Sequence, residues 1–223
     1  MTKTLLITGA SSGIGAASAR AAAKAGWNVA LLARSADKLN KLAGEIGDSP
    51  LALTCDITDR AALDAAVEQT VARFGGLDAV FANAGMGVAN AGVENGDPEQ
   101  WRKLIDLNVL AVLNTAHATL PHLRKTEGHF VVTGSKAGRD HLKGSVYGAT
   151  KWFVHGLAGN LAEEMREWGG RCTVISPGMV DTAFFDEPKP EKLQPEDIAD
   201  ALMFALSQRK TSAVREIHLM PND

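Results

Sequence analysis

The sequence predicts an α/β fold, a single doubly wound domain over residues 1–223 built on a mostly parallel seven-stranded sheet. Three observations carry that expectation. Seven short β-rich runs alternate with six longer helical patterns. The runs are apolar without clean polar alternation, as strands covered on both faces are. A chain of 223 residues suffices for one such domain with a substantial core, and is too short for two comfortable ones.

The elements follow in order. Thr4–Thr8 reads as the first strand and runs into a glycine-rich turn and a helix over 14–25. Asn28–Ala33 is the second strand, with Ser35 placed to cap a helix over Ala36–Ile46. Leu51–Thr54 precedes a helix over Arg60–Phe74 that Asp59 would cap. A fourth strand at 77–81 leads to one long helix over 98–123, opened by Asp97-Pro98, since proline in a first helical turn sacrifices no hydrogen bond. Then come a strand at His129–Thr133, a helix over 146–168, a strand at 172–176, a helix over 195–206 and a last strand at 214–219. Residues 186–195, with Pro188, Pro190 and Pro195, read as an exposed irregular connection. Strand–helix–strand succession of this kind implies right-handed crossovers.

Composition removes several function classes. A net charge of −3 with interspersed signs offers no field for nucleic acid. No stretch approaches 18 uninterrupted apolar residues, so no spanning helix is expected. The apolar run after Met1-Thr2-Lys3 is too short for a secretory signal, and the expected location is the cytoplasm, with Cys55 and Cys172 as buried free thiols. The histidines show no HExxH spacing, so no metal site is expected.

Chemistry first shows at Thr8-Gly9-Ala10-Ser11-Ser12-Gly13-Ile14-Gly15, directly after the first strand and opening the first helix. Glycines there permit close backbone approach, and the helix start presents unpaired N–H groups to a pyrophosphate. A dinucleotide site commonly places a carboxylate about 20 residues on, at the end of the second strand, to hold a ribose hydroxyl. Here that strand ends Leu31-Leu32-Ala33-Arg34. An arginine suits a 2′-phosphate, which points to NADP(H); the plain alternative is a solvated surface arginine. The single tyrosine, Tyr147, lies four residues before Lys151, on one helix face. An adjacent ammonium favours phenolate and would pull the tyrosine down from its usual value near 10.

Together these segments resemble the short-chain dehydrogenase/reductase family, a Rossmann-fold family, in a TGxxxGxG start, Asn83-Ala84-Gly85, Ser135, Tyr147-Gly148-Ala149-Thr150-Lys151 and Pro177-Gly178. The resemblance runs in family order from residue 8 to 182. It implies that Gly9, Ser11, Ser12, Gly13, Ile14 and Gly15 hold the pyrophosphate, and that Asp56 and Ile57 border the adenine. Asn83, Ala84 and Gly85 would form the floor under the nucleotide, and Pro177, Gly178, Val180 and Thr182 would hold the nicotinamide amide. Tyr147 would be the acid/base, Ser135 the group on the substrate oxygen, Lys151 the ribose ligand that lowers the tyrosine pKa, and Asn108 the anchor of a proton-relay water. Ser135 stands about one residue closer to Tyr147 than is usual in the family.

The substrate is less constrained. Its walls are expected from 86–97, 136–146 and 179–193, with Phe184 and Phe185 either lid aromatics or buried against the domain. Arg139, His141 and Lys143 read either as a cluster that attracts a carboxylate or as a solvated loop. Val146-Tyr147-Gly148-Ala149-Thr150-Lys151-Trp152-Phe153-Val154, Gln194-Pro195-Glu196-Asp197 and Glu216-Ile217-His218-Leu219-Met220-Pro221 are similar to the NADP-dependent 3-hydroxy acid dehydrogenase branch, which implies small hydroxy acids. Rival readings are a 3-oxoacyl carrier-protein-type reductase and a non-catalytic NADP(H)-binding sensor or scaffold. The resemblance also implies a homodimer or homotetramer, through the helices over 98–123 and 146–168, where Gly148, Ala149, Gly156, Ala158 and Gly159 would allow close approach; the alternative is a monomer with those small residues packed on the sheet.

Overall fold

The computed structural model describes residues 2–47, 50–88, 92–185 and 187–222. Seven strands, β1 (Thr4–Thr8), β2 (Asn28–Ala33), β3 (Leu51–Thr54), β4 (Ala79–Ala82), β5 (His129–Thr133), β6 (Arg171–Pro177) and β7 (Glu216–Leu219), form one sheet in the order β3-β2-β1-β4-β5-β6-β7. Each of the six pairings is parallel. Among the described residues seven α-helices accompany them: α1 (Gly13–Lys24), α2 (Ala36–Ile46), α3 (Arg60–Phe74), α4 (Pro98–Ile105), α5 (Ala111–Thr126), α6 (Val146–Arg166) and α7 (Pro195–Ser207).

Strand residues alternate between faces, so the unbroken apolar runs feed two cores. Leu6, Leu32, Val80, Phe130 and Val132 pack with Leu63, Val67, Leu123 and Leu161 of α3, α5 and α6. Leu5, Ile7, Leu31, Phe81 and Val131 pack on the other face with Leu39, Leu42, Ile198 and Leu202 of α2 and α7, and α1 lies against α7. The winding direction reverses between β1 and β4, which opens a crevice outside the carboxyl ends of those strands.

Local chemistry sets several helix ends. The Asp59 carboxylate accepts from the Ala61 and Ala62 amides, and the Asp97 side chain accepts from Glu99 ahead of Pro98. Ser35 stands at the start of α2 without a capping hydrogen bond from its side chain. Gly75 ends α3 in the left-handed region at φ 82°, where a side chain would be strained.

The main departure from expectation is the helix over 98–123. It is divided into α4 and α5 by a single π turn, Asp106–Leu110, in which the Ala111 amide reaches back five residues to the Asp106 carbonyl. The fourth strand begins two residues later than expected because Asp78 turns to the neighbouring strand: its carboxylate accepts from the Thr4 amide. The last strand is shorter than 214–219, and the Val214 carbonyl accepts from the Thr173 hydroxyl instead. Cys55 and Cys172 are buried free thiols, and burial pushes them up to about 11 and about 12. Among the described residues no helix is long and apolar enough to cross a membrane, and no cluster of metal-ligating side chains occurs.

Candidate active site

The glycine-rich turn between β1 and α1 is built by close backbone approach. Gly9 sits at φ 67°, and a Cβ there would lie 2.9 Å from the Ala84 Cα. A Cβ on Gly15 would fall 2.2 Å from the Gly9 carbonyl oxygen, and one on Gly13 would meet Thr182 at 3.0 Å. Each glycine thus keeps a different piece of chain at contact distance: the turn after β4, the turn itself, and the segment after β6. Ser11, Ser12 and Ile14 lie between them at the start of α1, where helix N–H groups face outward.

Asn83 ties this turn to the next strand. Its amide and that of Ala84 donate to the Thr8 hydroxyl at 3.0 and 3.1 Å, and its carboxamide accepts from the Thr133 hydroxyl. Arg34 is exposed at the end of β2, on the same sheet edge. Asp56, after β3, accepts from both the amide and the hydroxyl of Thr58; these two bonds hold its carboxyl low, with a smaller contribution from the nearby Arg34 charge. The neighbouring Ile57 is buried in the core.

Tyr147 and Lys151 lie in the first two turns of α6, whose N-cap, Ser145, accepts from the Gly148 amide. Lys151 is buried, and its ammonium donates to the Thr133 carbonyl at 2.8 Å. It stands 5.8 Å from the centre of the Tyr147 ring. Burial alone lowers Lys151 to about 8. The expected fall in the tyrosine pKa is not what the protein chain alone produces: burial raises Tyr147, opposed by a hydrogen bond with the Ser135 side chain. Burying the phenol favours its neutral form more than its neighbours favour phenolate.

Ser135 follows β5, and its hydroxyl also accepts from the Ala137 amide in a short 3₁₀ turn, Lys136–Gly138. Asn108 occupies the centre of the π turn and is fully buried. Its carboxamide accepts from the Met86 amide and donates to the Met86 carbonyl, both at 2.9 Å, and donates to the Thr150 hydroxyl. Thr150 in turn donates to the Tyr147 carbonyl. Asn108 therefore joins the segment after β4 to the turn of α6 that carries Tyr147. Gly178 at the end of β6 bonds the Leu219 carbonyl and leaves no room for a side chain against Pro221. Val180 pairs with Leu193, and Thr182 reaches back to α1.

The structure places all the expected residues along one sheet edge; Ser135, Tyr147, Lys151 and Asn108 share one hydrogen-bonded neighbourhood. Phe184 does lie over the site, its ring centre 5.7 Å from that of Tyr147 and packed where a Cβ on Gly87 would be. Of the expected substrate walls, residues 89–91 and Asp186 lie outside the described residues. Two of the three residues of the basic loop are engaged elsewhere: Arg139 pairs with Glu216 and His141 packs on Trp152. Met86, the first residue of an expected wall, contributes through its main chain, and His155 escapes a motif-based reading altogether. The latter stands four residues after Lys151, one turn further along the same face, which is the signal that could have found it.

Comparison with known proteins agrees with this geometry. Residues 3–193 match the family model of the short chain dehydrogenases. An uncharacterized oxidoreductase of Staphylococcus epidermidis is 34% identical over 224 residues, covering 98% of this chain and 97% of the relative. An alcohol dehydrogenase from the archaeon Thermococcus sibiricus, solved with 5-hydroxy-NADP, superposes with a TM-score of 0.92 at 33% identity, covering 100% of this chain and 97% of that one. A 3-ketoacyl-(acyl-carrier-protein) reductase from Brucella melitensis, solved with NADH, gives 0.91 at 29% identity, covering 99% and 97%. With the glycine turn, the Ser135–Tyr147–Lys151 group and a family match over most of its length, the chain belongs to the short chain dehydrogenase family.

Proposed function

We propose that the protein is an NADP(H)-dependent oxidoreductase that interconverts a carbonyl and a secondary alcohol. The observation that carries this reading is the Tyr147 phenol, close enough to the Ser135 side chain to be influenced by it and placed one helical turn from the buried Lys151 ammonium, 5.8 Å from its ring centre. That arrangement supplies a proton and an oxygen-binding hydroxyl at one point of the crevice.

The backbone turn at Gly9, Ser11, Ser12, Gly13, Ile14 and Gly15 would hold the pyrophosphate on the N–H groups at the start of α1, with the three glycines letting neighbouring chain pack close around the turn. Asp56 and Ile57 would border the adenine, Asn83, Ala84 and Gly85 the floor, and Pro177, Gly178, Val180 and Thr182 the nicotinamide. Arg34 would take the 2′-phosphate. When bound, NADPH would supply the hydride for the carbonyl carbon. Tyr147 donates the proton to the carbonyl oxygen and Ser135 steadies that oxygen as charge develops. Lys151 holds the ribose with the N–H groups it does not spend on Thr133, and its charge favours the phenolate left behind. The Asn108 side chain is largely spent on Met86 and Thr150, so a relay water would use what the π turn leaves of its carbonyl groups.

Small hydroxy acids are the first substrates to try, on the strength of the branch resemblance. Against them stands the pairing of Arg139 with Glu216, which removes one cation that could have met a carboxylate. Reduction of a carrier-bound 3-oxoacyl group is the second reading, favoured by the exposed apolar side chains of Leu142, Met179 and Phe184 in the segments expected to wall the substrate pocket. A homodimer or homotetramer is proposed through α6, where Gly156 and Gly159 face open space beside the exposed Trp152. The experiment is cofactor turnover with NADP⁺ and NAD⁺ across hydroxy acids, alcohols and acyl thioesters, with Tyr147→Phe as the blank. Turnover that prefers NADP⁺ and vanishes in the blank is expected; equal turnover in the blank would remove Tyr147 as the acid.

A further inference from the structure

The turn that carries Ser135 is wrapped around the ring of one side chain. Gly134 and Gly138 bracket Ser135, and a Cβ on either would strike His155: 2.9 Å from Nε2 for Gly134 and 2.7 Å from Cδ2 for Gly138. The ring also makes polar contacts to two strands' ends. Nε2 lies 3.2 Å from the Ser135 carbonyl oxygen and 3.1 Å from the Ser176 hydroxyl, while Nδ1 faces the Glu216 carboxylate at 3.8 Å. Glu216 is itself paired with Arg139, the residue that follows the turn.

Chemistry fixes the tautomer. A carbonyl oxygen can only accept, so the proton sits on Nε2 and the ring donates to Ser135. Burial, followed by the charges of Arg139, Lys151 and His218, holds His155 below its ordinary value, with the Ser135 bond pulling the other way. Its side chain is 13% exposed, bordering a groove of about 490 Å³ also lined by Trp152, Gly156 and Arg215. The imidazole is thus neutral at neutral pH, with a single proton directed at the backbone of the residue that meets the substrate oxygen.

We propose that His155 is a positioning residue for the reaction: it sets the Ser135 hydroxyl by clamping the Gly134–Gly138 backbone against α6 and β6. The inference rests on the function proposed above, in which Ser135 binds the substrate oxygen. It differs from a plain packing role in one respect, that its effect on turnover must pass through Ser135. An error of about 1 Å at such a group can cost on the order of 100-fold in rate.

The test is a double-mutant cycle on the full-length enzyme, read as kcat, cofactor KM and melting temperature. His155→Leu should lower kcat ten-fold or more, with cofactor KM within about two-fold, when Ser135 is present. In the Ser135→Ala background the same change should alter the residual kcat by less than about two-fold. His155→Gln, which keeps an N–H donor of similar reach, should recover most of the loss. If His155→Leu does not fold, His155→Asn, too short to reach the Ser135 carbonyl, takes its place in the cycle. Equal losses in both backgrounds would show a general packing defect and overturn the proposal, as would unchanged kcat in His155→Leu. Wild-type turnover in Ser135→Ala would instead remove the catalytic reading on which the proposal stands.

Discussion

Among the described residues the Lys151 ammonium makes one hydrogen bond, to a main-chain carbonyl, and no ion pair, so nothing negatively charged offsets the burial that brings it to about 8. Tyr147, raised by burial, holds its proton at neutral pH. In that state the phenol is ready to donate, which suits reduction, whereas oxidation of an alcohol requires it to accept. The kcat/KM for alcohol oxidation should therefore rise with pH from 7 upward, while that for carbonyl reduction should not; a flat oxidation profile would remove Tyr147 as the titrating base. Tyr147→Phe should cost about 10²- to 10⁴-fold in kcat, the usual worth of a positioned acid, with cofactor binding nearly intact by fluorescence titration. Arg34 carries a separate prediction. A charge-assisted hydrogen bond is worth about 1.5–3 kcal/mol, so Arg34→Ala should reduce the preference for NADP⁺ over NAD⁺ about ten-fold or more in kcat/KM. An unchanged ratio would return Arg34 to a solvated strand end.

Gly15 shows how an element can depend on a missing atom. Its backbone does not require a glycine for its angles, but a Cβ would come within 2.2 Å of the Gly9 carbonyl oxygen. Gly15→Ala must open the turn, and it should weaken NADP(H) binding more than ten-fold; Gly26→Ala, strained in φ but with no neighbour within 4 Å, should cost stability alone. Isothermal titration and thermal melting separate the two. The spacing of Gly9, Gly13 and Gly15 was legible in the sequence because local chain geometry demands those residues at those places. Tyr147 and Lys151 were legible for the same reason, since a helix alone puts i and i+4 together. The break at Asp106–Leu110 was not, because its partner is distant: Asn108 is pulled out of a regular helix by Met86, 22 residues earlier and on another segment. His155 escaped likewise, because its meaning lies in Ser135 and Glu216, which the fold, not the spacing, brings to it. The divided fate of Arg139 and His141 has the same origin, in Glu216 and Trp152.

Across the whole molecule the parallel sheet separates two kinds of buried polar chemistry. At the carboxyl edge the buried groups serve the site; at the opposite edge His129, first residue of β5, lies beside Arg171 of β6 and serves the fold. Thr173 donates to the Val214 carbonyl, so the His129 Nε2–H must donate to the Thr173 oxygen. Nδ1 is left buried without a protein partner among the described residues. Burial first, and the Arg171 charge second, lower His129 to about 3. A histidine in an unfolded chain binds its proton near 6.5, so between about pH 6.5 and 3 the unfolded state holds a proton that the folded state lacks. Stability contributed by the neutral ring is therefore complete above pH 6.5 and is lost as the pH falls toward 3. At about 1.4 kcal/mol per unit, unfolding free energy should drop by about 2 kcal/mol between pH 7 and 5 from this residue alone. Urea unfolding at the two pH values measures it. His129→Asn, whatever its stability at pH 7, should show a smaller drop, with the lowered His155 still contributing in the same direction in both proteins. Identical drops in the variant and the parent would mean that His129 is not kept neutral by the fold, and that the acid sensitivity of the sheet originates elsewhere.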